Sequence, residues 1–213
     1  MDTIKIMEGF SLANNREIFI VAGGPSLRKF DWDYLLDKNV MAINRAYETC
    51  PNASHLYFCD ERFWEVHKGG LTKHNAQFKI TARRKPMRVK YPESLIQYEF
   101  SGLKGYDARK GYLRTGNNSG YAAISLCAQL GYKSIYLLGY DMNYIKGKSH
   151  WHDGHTHPAG HRIHHKESTL SDKMLPFFQE LKDALDEHVP DCDVINLNKK
   201  SAIRCFDFGD LPV

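Results

Sequence analysis

Glu17-Ile-Phe-Ile-Val-Ala-Gly-Gly-Pro-Ser-Leu27 breaks an apolar run with two glycines, a proline and a serine. A run of this length closed by a sharp turn reads as a buried strand opening into a phosphate-cradling loop. Gly23 and Gly24 carry no Cβ and are free to take φ > 0, so an anion can come close to their backbone N–H groups. Pro25 and Ser26 suit the first turn of a short helix, where a missing N–H does no harm and a hydroxyl can cap. The same letters also describe an ordinary strand-to-helix turn, and the rest of the chain has to separate the two.

Outward from this turn, strand-like and helical runs alternate. Asp31 to Leu36 reads as a short helix, Val40 to Asn44 as a second strand, Ser54 to Cys59 as a third that ends at Asp60, and Glu61 to Lys68 as helical. Phe78 to Thr81 reads as a fourth strand. Residues 82–113, interrupted by Pro86, Pro92, Gly102, Gly105 and Gly111, read as a variable insert with a strand only at Leu95 to Phe100. A helix of small and apolar residues from Asn118 to Leu130 stops at Gly131 in the C′ position. A strand over Ser134 to Gly139, a long amphipathic helix over about 171–188, and a last strand over Asp193 to Leu197 complete the order. This alternation predicts a single Rossmann-like α/β domain with a mostly parallel sheet and helices on both faces.

Ligands of such sheets bind outside the carboxyl ends of the strands. The polar residues at those ends are Gly23 to Ser26, Asn44-Arg45, Asp60, Asn117 to Gly120, Gly139 to Asp141, and Asn196 to Asn198. A second anion-binding turn is expected at Arg114-Thr-Gly-Asn-Asn-Ser-Gly120. Asn117, Asn118 or Ser119 can cap the following helix, its free N–H groups attract an anion, and Arg114 offers a charge-assisted fork.

With 213 residues the chain holds one full core. The five cysteines are widely spaced and odd in number, which fits free thiols rather than a disulfide framework. No apolar run approaches the ~20 residues a bilayer span needs, and a soluble cytoplasmic protein is expected. The net charge of +4 is diffuse except for Arg83, Arg84, Lys85, Arg88 and Lys90, a cluster open to phosphates or nucleic acid as well as to solvent.

Seven of the eleven histidines fall between His150 and His165. Three readings stay open for this tract, taken as about 143–168: a lid that brings one histidine to the substrate as a base, a metal site, or a polar loop. His150, His152, His155 and His157 are the candidate metal ligands, although their spacing matches no defined zinc motif. Asp31-Trp-Asp33 and Asp191-Cys-Asp193 have a metal-binding Asp-x-Asp spacing, but the first reads as a helix cap and the second as a loop entering a strand.

Val21-Ala-Gly-Gly-Pro-Ser-Leu27, Ala42-Ile-Asn-Arg-Ala-Tyr47, Ser119-Gly-Tyr-Ala-Ala123 and Leu130-Gly-Tyr-Lys-Ser-Ile-Tyr-Leu-Leu-Gly-Tyr-Asp141 together resemble the bacterial CMP-sialic-acid-dependent sialyltransferases. The Gly-Pro-Ser-Leu turn is also similar to that of hydroxymethylpterin diphosphokinase-like proteins, and the His-Trp-His tract is similar to that of compact phage-encoded relatives. The resemblance implies nucleotide contacts from Gly24, Pro25, Ser26, Asn44, Ser119 and Gly120, with Arg114 nearby and Tyr140 and Tyr144 near the leaving phosphate. It also implies a histidine base downstream of the Gly-x-Asp segment, where His161, His164 and His165 compete. Gly23 stands where that family has asparagine.

The leading expectation is therefore a glycosyltransferase-like enzyme that takes a nucleotide sugar, CMP-linked or related, and passes the sugar to a hydroxyl acceptor with a histidine as general base. No metal is required by that scheme, though the histidine tract leaves room for Zn²⁺. Alternatives are Mg²⁺-dependent diphosphate transfer to a small alcohol and a non-catalytic nucleotide- or nucleic-acid-binding protein. A homo-oligomer is compatible with each.

Overall fold

Ile18, Phe19, Ile20 and Val21 are all buried because their strand lies at the centre of a sheet covered on both faces. The structure, a computed structural model, describes residues 3–13, 16–84, 86, 88–144, 150, 155–156, 162–163 and 167–212. The strands in chain order are β1 (Glu17–Val21), β2 (Val40–Ile43), β3 (His55–Phe58), β4 (Phe78–Arg83), β5 (Ile96–Gly102), β6 (Tyr112–Arg114), β7 (Ser134–Leu138), β8 (His155–Thr156), β9 (Arg162–Ile163), β10 (Asp193–Asn196) and β11 (Asp207–Phe208). Nine of them form one open sheet in the order β11-β10-β7-β1-β2-β3-β4-β5-β6, and each neighbouring pair is parallel. This is the Rossmann-like α/β arrangement that the alternation predicts.

Strand periodicity sorts the core into two layers. Ile18 and Ile20 face the layer built by α1 (Thr3–Ala13), α3 (Ser119–Gln129) and α5 (Leu175–His188). Phe19 and Val21 face the other layer, which holds Phe63, Trp64 and Leu71 of α2 (Glu61–Lys73) and residues of three 3₁₀ turns. Full burial of each such side chain contributes roughly 1.5–3 kcal/mol, so the central strands hold the fold most firmly. α3 is buried along nearly its whole length, which explains its Ala-rich sequence, and it ends where Gly131 takes φ 87°.

Several elements differ from the sequence reading. α1 was not expected; Met7 is fully buried and Phe10 sits edge-on to His55 and Phe78. Residues 82–113 are no appendage, because β5 and β6 continue the sheet, anchored by fully buried Tyr98 and Leu113. The expected helix over 171–188 is two helices, α4 (Glu167–Lys173) and α5, broken at Met174, whose φ of −122° leaves the helical region; Pro176 follows in the first turn of α5. All five cysteines are free thiols. Among the described residues no helix is long and apolar enough to cross a membrane.

Candidate functional site

From β1 the sheet progresses through β2 to β6 on one side and through β7, β10 and β11 on the other, so the strand order changes direction between the parallel strands β1 and β7. A crevice is expected where the two connections part company. A cavity of about 250 Å³ opens there, lined by Gly23 and Gly24 after β1, Asn44 and Arg45 after β2, Asp60 after β3, Asn117 to Gly120 at the start of α3, and Gly139 and Tyr140 after β7. The two glycine-containing turns, nearly a hundred residues apart, thus meet at one site. Arg62, Phe63 and His67 of α2 form a further wall, and Met142, His150, Leu170 and Met174 another.

The backbone of this rim is held in uncommon conformations. Asn44, Asn117 and Met142 take φ of 50°, 53° and 49°, and with Arg16 they are the non-glycine residues at positive φ among those described. Each such residue costs on the order of 1–3 kcal/mol, and clustering of this strain at a cavity marks a site that the surrounding fold pins in place. The Ser119 hydroxyl joins two strand ends, 3.1 Å from the Cys59 sulfur and 3.4 Å from Asn44 Oδ1. Burial pushes the Cys59 thiol up to about 11, so it is no thiolate nucleophile.

Much of the expected anion-binding apparatus is already occupied by the protein itself. Gly24 has φ −65°, not a positive φ; glycine is needed because a Cβ would lie 1.9 Å from Asp141 Oδ2 and 2.3 Å from the Gly139 carbonyl oxygen. The Gly24 N–H donates to Gly139 (2.9 Å), and both the N–H and the hydroxyl of Ser26 donate to Asp141 (3.0 and 2.7 Å). Asp141 therefore takes the place an external anion would occupy, and neither it, Ser26 nor Pro25 lines the cavity. Burial raises the Asp141 carboxyl above its ordinary range against the bonds from Ser26. Likewise Asn118 caps α3 by accepting from the N–H groups of Gly120 and Tyr121 (2.7 and 3.2 Å). Tyr140 lines the cavity, but its buried hydroxyl donates to the Gly120 carbonyl (3.0 Å). Arg114 turns away to the Lys104 carbonyl, and Tyr144 is not part of the lining. Donors remain in both turns: among the described residues the N–H groups of Gly23, Asn117 and Ser119, all in the lining, have no hydrogen-bond partner.

The opposite wall carries the charge. Arg45 is forked onto Glu48 (2.7–3.1 Å), and Arg62 pairs with Asp60 (3.3 Å), which also caps α2 through the Arg62 N–H (2.8 Å). His67 stacks on Phe63 with ring centroids 4.3 Å apart, and its Nδ1 lies 3.2 Å from the Tyr47 hydroxyl and 3.8 Å from Glu48. A glycine inside a helix costs roughly 1 kcal/mol relative to alanine. Gly70 is explained by Tyr47, since a Cβ there would stand 2.5 Å from the tyrosine oxygen. Desolvation lowers the His67 pKa despite the opposing effect of Glu48, with Arg45 adding to the lowering, so the ring is neutral at pH 7.

None of Arg62, Phe63 or His67 was singled out by the sequence reading. The only signal was their spacing of one and four residues on a helix that begins at a strand end. The expected base candidates His161, His164 and His165, and the candidate ligands His152 and His157, lie outside the described residues. His150 reaches the cavity, and β8, which contains His155, pairs antiparallel with β9 and lies beside α2. No group of three or more His, Cys, Asp or Glu suited to a metal occurs among the described residues. Asp31 accepts from the Asp33 N–H (3.1 Å) as the cap of a 3₁₀ turn, and Asp191 pairs with Lys133. In the basic cluster Arg83 pairs with Glu99 and Arg84 lies over the Phe100 ring (4.8 Å), at the β4–β5 side of the sheet and outside the cavity lining. No protein-family model, curated protein or solved structure matches the chain.

Proposed function

We propose that the rim cavity binds a nucleotide-activated sugar and that the chain transfers the sugar to a hydroxyl acceptor. The observation that carries this reading is the meeting, where the strand order changes direction between β1 and β7, of unpaired backbone N–H donors at Gly23, Asn117 and Ser119 with guanidinium groups at Arg45 and Arg62. Such donors suit a phosphate-bearing ligand, while Phe63, Met142, Leu170 and Met174 offer an apolar surface to a base or sugar ring. The resemblance of four sequence segments to the sialyltransferases supports the same ligand class. In this scheme the donors stabilise the charge that grows on the phosphate as the glycosidic bond breaks. No residue named here needs a metal for that role.

The test is a calorimetric panel of nucleoside phosphates and CMP-, UDP- and GDP-linked sugars on the full chain, with and without chelator. One nucleotide is expected to bind regardless of chelator, and Arg62→Ala is expected to weaken it about tenfold, the worth of one charge-assisted hydrogen bond. Strict Mg²⁺ dependence with ATP consumption would move the assignment to diphosphate transfer. A bound but unchanged sugar nucleotide, in the presence of varied hydroxyl acceptors, would reduce it to a binding protein.

A further inference from the structure

Two histidines reach the cavity among the described residues, His67 and His150. They differ in how they are held. His67 is fixed on three sides: Phe63 stacks against one face, the Tyr47 hydroxyl meets Nδ1, and Glu48 stands behind both. Tyr47 can reach that position because Gly70, one turn along α2, leaves room for its oxygen. Among the described residues Nε2 has no partner. A side chain immobilised at one ring nitrogen and open at the other is the arrangement expected of a general base, whose free nitrogen must meet the proton it removes.

Resting on the transferase reading above, we infer that His67 is its general base and that Tyr47 is a positioning residue acting through it. Nε2 takes the proton of the acceptor hydroxyl as that oxygen bonds to the anomeric carbon. The bond from that carbon to the phosphate oxygen breaks, its electron pair leaves with the nucleoside phosphate, and the imidazolium then returns the proton to solvent. The groups facing the ring are Glu48, which favours its protonation, and Arg45, which opposes it, with Tyr47 as hydrogen-bond partner and the Arg62–Asp60 pair on the same wall. Neutrality at pH 7 suits the role.

The experiment compares wild type with His67→Asn and Tyr47→Phe, measuring nucleotide affinity by calorimetry and nucleotide release from CMP-, UDP- and GDP-linked sugars across pH. For His67→Asn, affinity is expected to stay within about threefold while turnover falls about 100-fold or more, and the acid-side loss of rate seen in wild type disappears. Tyr47→Phe should lower kcat about tenfold at unchanged KM and move the acid limb. Turnover in His67→Asn within threefold of wild type, with nucleotide still bound, overturns the assignment and leaves the cavity as a nucleotide site. Failure of every nucleotide to bind wild type overturns both readings. Should His67→Asn not fold, ¹⁵N spectra of the wild-type imidazoles decide: the His67 Nε2 signal moves when the sugar nucleotide is added, or the inference falls.

Discussion

The two walls of the cavity are built on opposite plans. On the β1–β7 side, donors and acceptors of the chain satisfy one another: Ser26 with Asp141, Gly24 with Gly139, Asn118 with the first turn of α3, Tyr140 with Gly120. On the β2–α2 side, Arg45 and Arg62 carry charge to the opening, each paired with a carboxylate, and His67 brings a ring nitrogen that has no partner among the described residues. The difference teaches that a glycine-rich turn at a strand end can be a structural clasp. Here the clasp fixes the shape of the rim, and the guanidinium and imidazole groups come from the other side.

The largest effect that can break this comparison is expected at Gly24. Gly24→Ala places a Cβ against the Asp141 carboxylate and the Gly139 carbonyl, neither of which is the end of a long flexible chain. A stability loss of about 3 kcal/mol is expected from overpacking of this kind, read as a lower urea midpoint at unchanged m-value. A variant as stable as wild type would mean that the clasp is loose. Next comes His55, the scaffold's counterpart to His67. Packed between Phe10, Phe78 and Tyr132, it has its pKa pushed down to about 3 by desolvation. The unfolded ring protonates near pH 6.5, so stability from this residue is complete above that pH and declines as the pH falls, by about 1.4 kcal/mol per pH unit, until the folded ring itself titrates near 3. Denaturation of wild type and His55→Gln between pH 5 and pH 8 should give a difference curve with that slope and sign. The smallest effect is expected at Arg114, which is turned to the Lys104 carbonyl: Arg114→Gln should leave nucleotide affinity within about twofold, a limit set by the usual ±0.5 kcal/mol of substitutions away from a site.

What the sequence made legible follows the same division. The parallel sheet could be read because Ile18 to Val21, Val40 to Ile43 and Ser134 to Leu138 are continuous apolar runs closed by turn residues, the pattern of strands buried on both faces. Asn44 and Asn118 stood out because their positions at a strand end and a helix start permit few residue types. β6 escaped notice because three residues carry no period, and α1 because its buried face shows only at Ile4, Met7 and Phe10. His67 was invisible for another reason: nothing local to α2 reveals that Tyr47, twenty residues earlier, will reach it through the gap at Gly70. Ser26 and Arg114 misled for the converse reason, since their types fit a ligand while their partners lie 115 and 10 residues away in the chain itself.

The seven inner strands of the sheet have four to seven residues each, while the two edge strands have only three in β6 and two in β11. A long flat border would present a row of unpaired amides and carbonyls to any extended peptide. Here each border ends after a few residues, and at β6 the Arg109 guanidinium sits 4.3 Å above the half-exposed Tyr112 ring. Sheets of neighbouring molecules therefore find almost nothing to add a strand to, and a protein with this many parallel strands stays protected against edge-to-edge aggregation by the shortness of its margins.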